Sequence, residues 1–429
     1  MKKHRTILVS AIAIVYVLLL SCGQPAPKPN IILIIIDTLR ADHLGYNGYQ
    51  RNTSPNIDAF AQEGVVFNNA YSQSGWTLPS IATIFTSLHP REHGAIEWSV
   101  KLDTGLTTIA EVLRDNGYYT YGYPALFALN EESGFQQGFN TYPLDIPRMG
   151  KPQYTKSSPK VNELIINDLG NIQEPFFIWG HYYDPHSVYM THDNFIFGDG
   201  KKAVDRYDGE IAYVDYFVGM LFKKLQKMQL YENSVIIVMS DHGEEFFDHG
   251  RESHYTLYEE VLKIPLIIKA PGEEHREVDK YVSQIDIAPT IINFAGIDSP
   301  EQFTGIDIMD DDIPNRPVFA ERGDKLIAFQ RAVIDDGMKL YHIDIGQADT
   351  SNPRFKKQEF YRNEKMLFAL TRDPAEKTNI YGIPDFTDIR NKLDDRFYNF
   401  YQGEAKPLDV IEQLDEETVE KLRQLGYIE

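Results

Sequence analysis

The chain has 429 residues, with 42 Lys and Arg against 63 Asp and Glu and a formal charge of -21. A polyanion meets net repulsion from such a chain, and no Lys/Arg run exceeds pairs such as Lys223-Lys224 and Lys356-Lys357 outside the extreme N-terminus, so no nucleic-acid partner is expected. A hydrophobic share of 42%, with 26 Tyr and 24 Phe, supplies a large core and excludes global disorder.

Lys2, Lys3 and Arg5 precede an apolar stretch from Ile7 to Leu20, and Leu19-Leu20-Ser21-Cys22-Gly23 closes it. The stretch is shorter than the roughly 20 residues that span a membrane. It resembles a bacterial lipoprotein signal, in which Cys22 becomes the lipidated N-terminus. Residues 1–21 are then a signal peptide and residues 22–30, with Pro25, Pro27 and Pro29, a Pro-rich tether. The expected location is the bacterial cell envelope, at the outer membrane or the periplasmic face, with the membrane reached through the lipid anchor. The plainer reading is an ordinary signal peptide or short anchor with Cys22 incidental.

Ile31 to Ile36 is a continuous apolar, mostly β-branched run, the pattern of a parallel strand buried on both faces. Similar runs recur at 64–67, 118–123, 176–180, 234–239 and 265–268, and helix-like stretches lie at 57–62, 80–87, 106–115 and 205–227. The alternation predicts an α/β fold, a doubly wound sheet with helices on both faces. Ligands collect at the carboxyl ends of such strands. Asp37 ends the first run, Asp184-Pro185-His186 follows the fourth, and Asp241-His242-Gly243 follows the fifth. Three such strand ends suggest one metal or catalytic centre, against the alternative of solvated loop residues. Ser74 to Ser80 leads into a helix with Pro79 in its first turn. Ser74 or Thr77 is there either a helix cap or, beside a cation, a nucleophile.

Taken together, several segments resemble the sulfatases of the alkaline phosphatase superfamily from about residue 30 onward. They are Asp37-Thr38-Leu39-Arg40-Ala41-Asp42, Ser54-Pro55-Asn56-Ile57-Asp58, Thr77-Leu78-Pro79-Ser80 leading to His89-Pro90-Arg91, His181 to His186, and Ser240-Asp241-His242-Gly243-Glu244. Leu257 to Glu260, Ile285 to Thr290 and Arg372-Asp373-Pro374 follow in order. The resemblance implies a sulfatase-like catalytic domain over residues 31–310 and a smaller C-terminal α+β subdomain over 311–429. It also implies that Asp37, Thr77, Asp241 and His242 hold a divalent metal, with Thr77, His186 and His254 catalytic. His186, His254, Arg40 and Arg91 are the expected substrate-binding residues, and Asp184, His186 and His254 the residue types for a second metal.

The departures from the family pattern carry as much meaning. Sulfatases place Cys or Ser where this chain has Thr77, and oxidise it to formylglycine; Arg of the same motif is here Ile81. Oxidising a secondary alcohol gives a ketone, so formylglycine chemistry is not expected. Thr38 stands where calcium-type sulfatases often carry a second Asp, which shifts the expected ion from Ca²⁺ toward Zn²⁺ or Mn²⁺. Relatives with a Thr nucleophile attack phosphorus. Three readings follow: a hydrolase or transferase of a phosphate ester or phosphodiester acting through Thr77, a sulfuric ester hydrolase without formylglycine, and a non-catalytic anion-binding lipoprotein. The expected partner is an anionic ester on a phospholipid, a glycan or a small molecule.

Overall fold

In a computed structural model describing residues 28–97, 100–130, 133–143, 156–310, 312–323, 328–346 and 363–402, the apolar run at Ile31 becomes β1 (Asn30–Ile36), buried at every position. The signal segment and Cys22 lie outside the described residues, as does 144–155. The other strands of the main sheet are β2 (Val65–Tyr71), β3 (Tyr119–Tyr123), β4 (Phe176–Tyr182) and β5 (Ser234–Ser240). A short hairpin, β6 (Glu245–Phe246) and β7 (Glu252–Ser253), follows β5, and β8 (Lys263–Ile264), β9 (Leu266–Lys269) and β10 (Arg276–Ser283) then return to the sheet. The strand order is β10-β2-β9-β5-β1-β4-β3, with β8 beside β2.

β1 pairs in parallel with β4 and β5, β3 with β4, and β10 with β2. β9 is antiparallel to both β5 and β2, a reversal that its apolar run alone does not reveal. Two reversals in succession leave β2 and β10 pointing the same way as β1. The carboxyl ends of β1, β2, β4, β5 and β10 therefore open on one edge of the sheet.

Two groups of helices cover the sheet. α1 (Pro55–Ala61) and α4 (Ser158–Asp168) contact the long α5 (Ala203–Lys227), while α2 (Thr77–Thr86), α3 (Ile109–Asp115) and α6 (Ile287–Phe294) contact one another. α2 is buried along all ten residues, and the hydroxyls of Ser80, Thr83 and Thr86 find hydrogen-bond partners within the protein. Asp215 of α5 accepts from the Asn56 and Ile57 amides and so satisfies the open N-terminus of α1.

After residue 310 the chain builds a second, antiparallel sheet of β11 (Val318–Arg322), β12 (Phe329–Asp335), β13 (Met338–Asp344) and β14 (Glu364–Ala369), followed by α7 (Thr387–Tyr401). Its side chains alternate as the pleat requires. Val333, Leu340 and Leu367 pack with Leu393 and Phe397 of α7, whereas Ala332, Ile334, Tyr341 and Phe368 pack with Tyr71, Leu257 and Leu262 of the main domain. The second sheet is thus clamped between its own helix and the first.

A fully buried lysine fastens this seam. Lys339 Nζ of β13 lies 2.9 Å from Glu376 and 3.3 Å from Glu259. Burial lifts the Glu376 carboxyl to about 7 against the pull of Lys339. Lys339→Met should cost about 3–5 kcal/mol in urea unfolding, because it leaves the buried Glu376 carboxylate without its counter-charge and takes a partner from the half-buried Glu259. Glu376 binds protons more tightly folded than unfolded, so stability falls as pH rises through its folded value; the deficit should be largest above pH 7 and shrink on acidification. A pH-independent loss under about 1 kcal/mol would show that the lysine does not hold the seam.

Candidate active site

The strand-end residues meet. Asp37 follows β1, Asp241 and His242 follow β5, and their ligand atoms all lie within 4.8 Å of one another. His242 Nε2 is 3.7 Å from Asp37 Oδ1 and 3.4 Å from Asp241 Oδ2. Thr77, in the first turn of α2, brings its Oγ1 to 3.3 Å from Asp37 Oδ2 and 3.4 Å from His242 Nε2. The residue that caps α2 is Trp76, without a side-chain cap bond, so neither Ser74 nor Thr77 serves as the helix cap.

Local backbone geometry sets these positions. Thr38 adopts φ 55°, a costly conformation for a β-branched residue, and its amide donates to Asp241 Oδ1 at 3.1 Å. The His242 amide donates to the same oxygen at 2.8 Å, and Gln284 Nε2, after β10, donates to the Asp241 carbonyl at 2.6 Å. Gly243 sits so close to Glu260 O that a Cβ would lie 2.0 Å from it, which leaves no room for a side chain.

The donor set fits a divalent cation. Asp37 Oδ1 and Asp241 Oδ2 are buried with no hydrogen-bond partner, on side chains with no exposed surface. Burial, then the charge of Asp241, raises the Asp37 carboxyl well above its ordinary range. Burial pushes Asp241 up to about 6, with His181 and three backbone amides, those of Thr38, His242 and Asp241 itself, opposing. A positive ion between the two carboxylates would remove both penalties. His242 Nδ1 lies 2.9 Å from the Gly243 carbonyl, which can only accept, so the ring proton sits there and Nε2 keeps a lone pair facing the carboxylates.

Two more imidazoles extend the site. The His254 ring centroid is 4.5 Å from that of His242, and His186 is 5.1 Å from His254. Burial brings both His186 and His254 down to about 3, so both are neutral at pH 7. His254 Nδ1 is 3.2 Å from Glu244 Oε1, and His186 Nδ1 is 2.7 Å from the Ser187 carbonyl.

Other expected residues fall elsewhere. Asp184 accepts hydrogen bonds from the amides and hydroxyls of Ser157 and Ser158 at the start of α4, and among the described residues it forms no three-ligand group with His186 and His254. The second-metal set is therefore not assembled. Arg40 is spent on Asp42, Asp248 and the Glu244 carbonyl, and borders a cavity of about 620 Å³ that none of Asp37, Thr77, Asp241 and His242 lines. Arg91 donates to the Phe400 carbonyl and lies over the Phe400 and Tyr401 rings, so it fixes the C-terminal helix. Neither arginine is at the site.

Sequence reasoning passed over three residues. His181, on the last turn of the β4 pleat, places Nε2 3.3 Å from Asp37 Oδ2, and its signal was a polar residue inside an apolar strand run. Glu244 holds His254 and accepts from Tyr189, 2.8 Å away. Arg322 arrives from the second sheet, and nothing in its sequence neighbourhood marks it.

Fold and site together define a metal-dependent ester hydrolase of the alkaline phosphatase type, with its chemistry at the strand ends of a mixed sheet. The sulfatase family model matches residues 29–297, and the chain belongs to that family. It is 25% identical over 445 residues to the uncharacterized sulfatase YidJ of Escherichia coli, covering 87% of each chain. A solved structure in complex with its substrate D-glucosamine-2-N,6-O-disulfate superposes with a TM-score of 0.73 at 18% identity, over 90% of this chain and 100% of that one. A phosphonate monoester hydrolase of Agrobacterium radiobacter superposes with a TM-score of 0.71 at 18% identity, over 91% and 99%. Sulfatase-family enzymes are metal-dependent hydrolases of anionic esters, and the fold accommodates both sulfur and phosphorus centres.

Asp241→Asn should lose the bound divalent cation, read by elemental analysis of dialysed protein. Chelation should lower the melting temperature of wild type but leave this variant unchanged. Without metal, the variant should be at least as stable as wild type, because one buried charge of a repelling pair is gone. Full metal occupancy in the variant would exclude Asp241 as a ligand.

Proposed function

We propose that this chain is a phosphoric ester hydrolase or transferase of the bacterial cell envelope, with Thr77 Oγ1 as the attacking atom and Asp37, Asp241 and His242 as ligands of one cation. The observation that carries this reading is the Thr77 hydroxyl, buried at a helix N-terminus against Asp37 and His242 and not used as a cap. With Thr at this position and no formylglycine route, the hydroxyl itself is the nucleophile. The phosphonate monoester hydrolase among the structural neighbours adds that the fold serves phosphorus chemistry. Lipidation at Cys22 would hold the enzyme at the membrane, where anionic phospholipid or envelope glycan esters are at hand.

A cation held here would lower the hydroxyl pKa and neutralise charge on the equatorial phosphoryl oxygens. Two carboxylates, one imidazole and one hydroxyl are fewer oxygens than the about six to eight that Ca²⁺ takes, which favours Zn²⁺ or Mn²⁺. Thr77 is oriented by its hydrogen bond to Asp37 Oδ2 and by the rigid buried helix behind it. As the Oγ1–P bond forms, the hydroxyl proton leaves and the bond from phosphorus to the leaving oxygen breaks, with a proton taken up by that oxygen. Water or an alcohol then attacks the phosphothreonine and returns the hydroxyl. His186 and His254 keep their neutral-state proton on Nδ1, so Nε2 is the end that gains one when an anionic oxygen approaches. A proton on Nε2 of either imidazole would let it donate to an ester oxygen.

The sulfatase relatives favour a second reading, a sulfuric ester substrate attacked by unmodified Thr77. Paired aryl phosphate, phosphodiester and sulfate substrates separate the two. Thr77→Ala should abolish turnover with fold and metal retained, Thr77→Ser should keep a fraction, and acid-quenched wild type should carry phosphate on Thr77. Full activity of Thr77→Ala would leave water as the attacking species and overturn the assignment.

A further inference from the structure

Arg322 ends β11 in the C-terminal sheet, yet its guanidinium reaches the backbone beside the candidate site. Nη1 donates to Gly75 O and to His254 O, each at 2.8 Å. The guanidinium carbon is 5.8 Å from the Trp76 ring centroid and 5.2 Å from that of Tyr255. Its partners thus belong to two segments, Gly75-Trp76 immediately before Thr77 and His254-Tyr255. Gly75 is itself wedged against the second segment, since a Cβ there would lie 2.7 Å from Thr256 O. The neighbouring Glu321 amide donates to Gln73 O at 2.9 Å, so β11 grips the Thr77 loop at two points.

Three features separate this arginine from an ordinary structural one. It is 6% exposed, no carboxylate among the described residues lies within ion-pair distance, and Nε has no hydrogen-bond partner. A buried cation without a counter-charge is costly. Ile81, fully buried on α2, brings no charge of its own, so the guanidinium beside the Thr77 turn comes from the other sheet.

We infer that Arg322 is a positioning residue for ester turnover: by bridging Gly75 and His254 it holds the Thr77 turn and the His254 segment in one fixed relation, and the C-terminal sheet thereby completes the active site. The inference rests on the reading of Thr77 and His254 as the groups that meet the ester. Lys cannot replace Arg in this role, because a compact ammonium does not present the planar fork that meets two carbonyls beside two rings.

The test uses the full metal-loaded chain and whichever of the aryl phosphate, phosphodiester or sulfate esters wild type turns over, so a wrong choice between phosphorus and sulfur does not affect it. Arg322→Ala should lower kcat/KM about 100-fold, mostly in kcat, as expected when reacting groups shift by about an ångström. Metal content should stay at wild-type level. Arg322→Lys should recover less than about a tenth of the loss, while millimolar guanidinium should raise kcat of the Ala variant and not of wild type. Calorimetry with inorganic phosphate gives a readout independent of turnover, and affinity should fall about 10-fold in both variants. A folded, metal-replete Arg322→Ala or Arg322→Lys protein with kcat and phosphate affinity within about threefold of wild type would overturn the inference. So would an activity loss that follows metal loss and ignores guanidinium.

Discussion

Two carboxylates on neighbouring parallel strands, both out of contact with water, are the constraint around which this molecule is organised. β1 and β5 run in register, so Asp37 and Asp241 leave the sheet side by side with like charge and little solvation. The turn after β1 accepts a strained Thr38 to satisfy one Asp241 oxygen, the turn after β5 needs a residue without a side chain at Gly243, and Gln284, just after β10, donates to the Asp241 carbonyl. One oxygen of each carboxylate remains without a hydrogen-bond partner. A cation between them would relieve that repulsion, and the arrangement places a hydroxyl and an imidazole beside the two carboxylates.

The parallel sheet alone would leave the hydroxyl loop and the His254 segment as separate excursions. The antiparallel sheet after residue 310 joins them. Its inner face packs on Leu257 and Leu262, its buried Lys339 locks onto Glu259 and Glu376, and its edge strand β11 reaches the backbone on both sides of the site. In this molecule the smaller sheet therefore contributes to the site as well as to stability.

Much of this was legible in the sequence, for definite reasons. A strand buried on both faces must be apolar throughout, so Ile31 to Ile36 and Val235 to Met239 declared themselves, and polar residues directly after them had to sit on the ligand-binding edge. Asp37, Asp241, His242 and Thr77 were found that way and through the resemblance they carry. The reversal of β9 was not legible, because an apolar run has no direction. Asp184 shared its residue type and position with the strand-end residues that do converge, and only the serines at the start of α4 reveal its different duty. Arg40 and Arg91 lay within family motifs but are partnered by Asp42, Asp248 and the C-terminal helix. Arg322 was invisible because its partners are backbone carbonyls, which leave no trace in sequence, and because they lie on segments far away in the chain. Several recognisable motifs also turned out to be scaffolding: Asn56 and Ile57 anchor a helix start on Asp215, and Glu259 answers a buried lysine.

The grip of β11 on Gln73 and Gly75 has a consequence for the order of events during synthesis. The chain is made from its N-terminus, so β1, β2 and the loop before α2 exist well before residues 321 and 322. Until then the carbonyls of Gln73 and Gly75 lack their partners, and the sheet edge that bears Asp37 can assemble around a loop still free to move. Domains tend to fold as they emerge, and pairings across long sequence separations form last. The alignment of the hydroxyl with its imidazoles is accordingly a late step of maturation, deferred until the final third of the polypeptide has docked, and a nascent or truncated chain carries the residues of the site without their geometry.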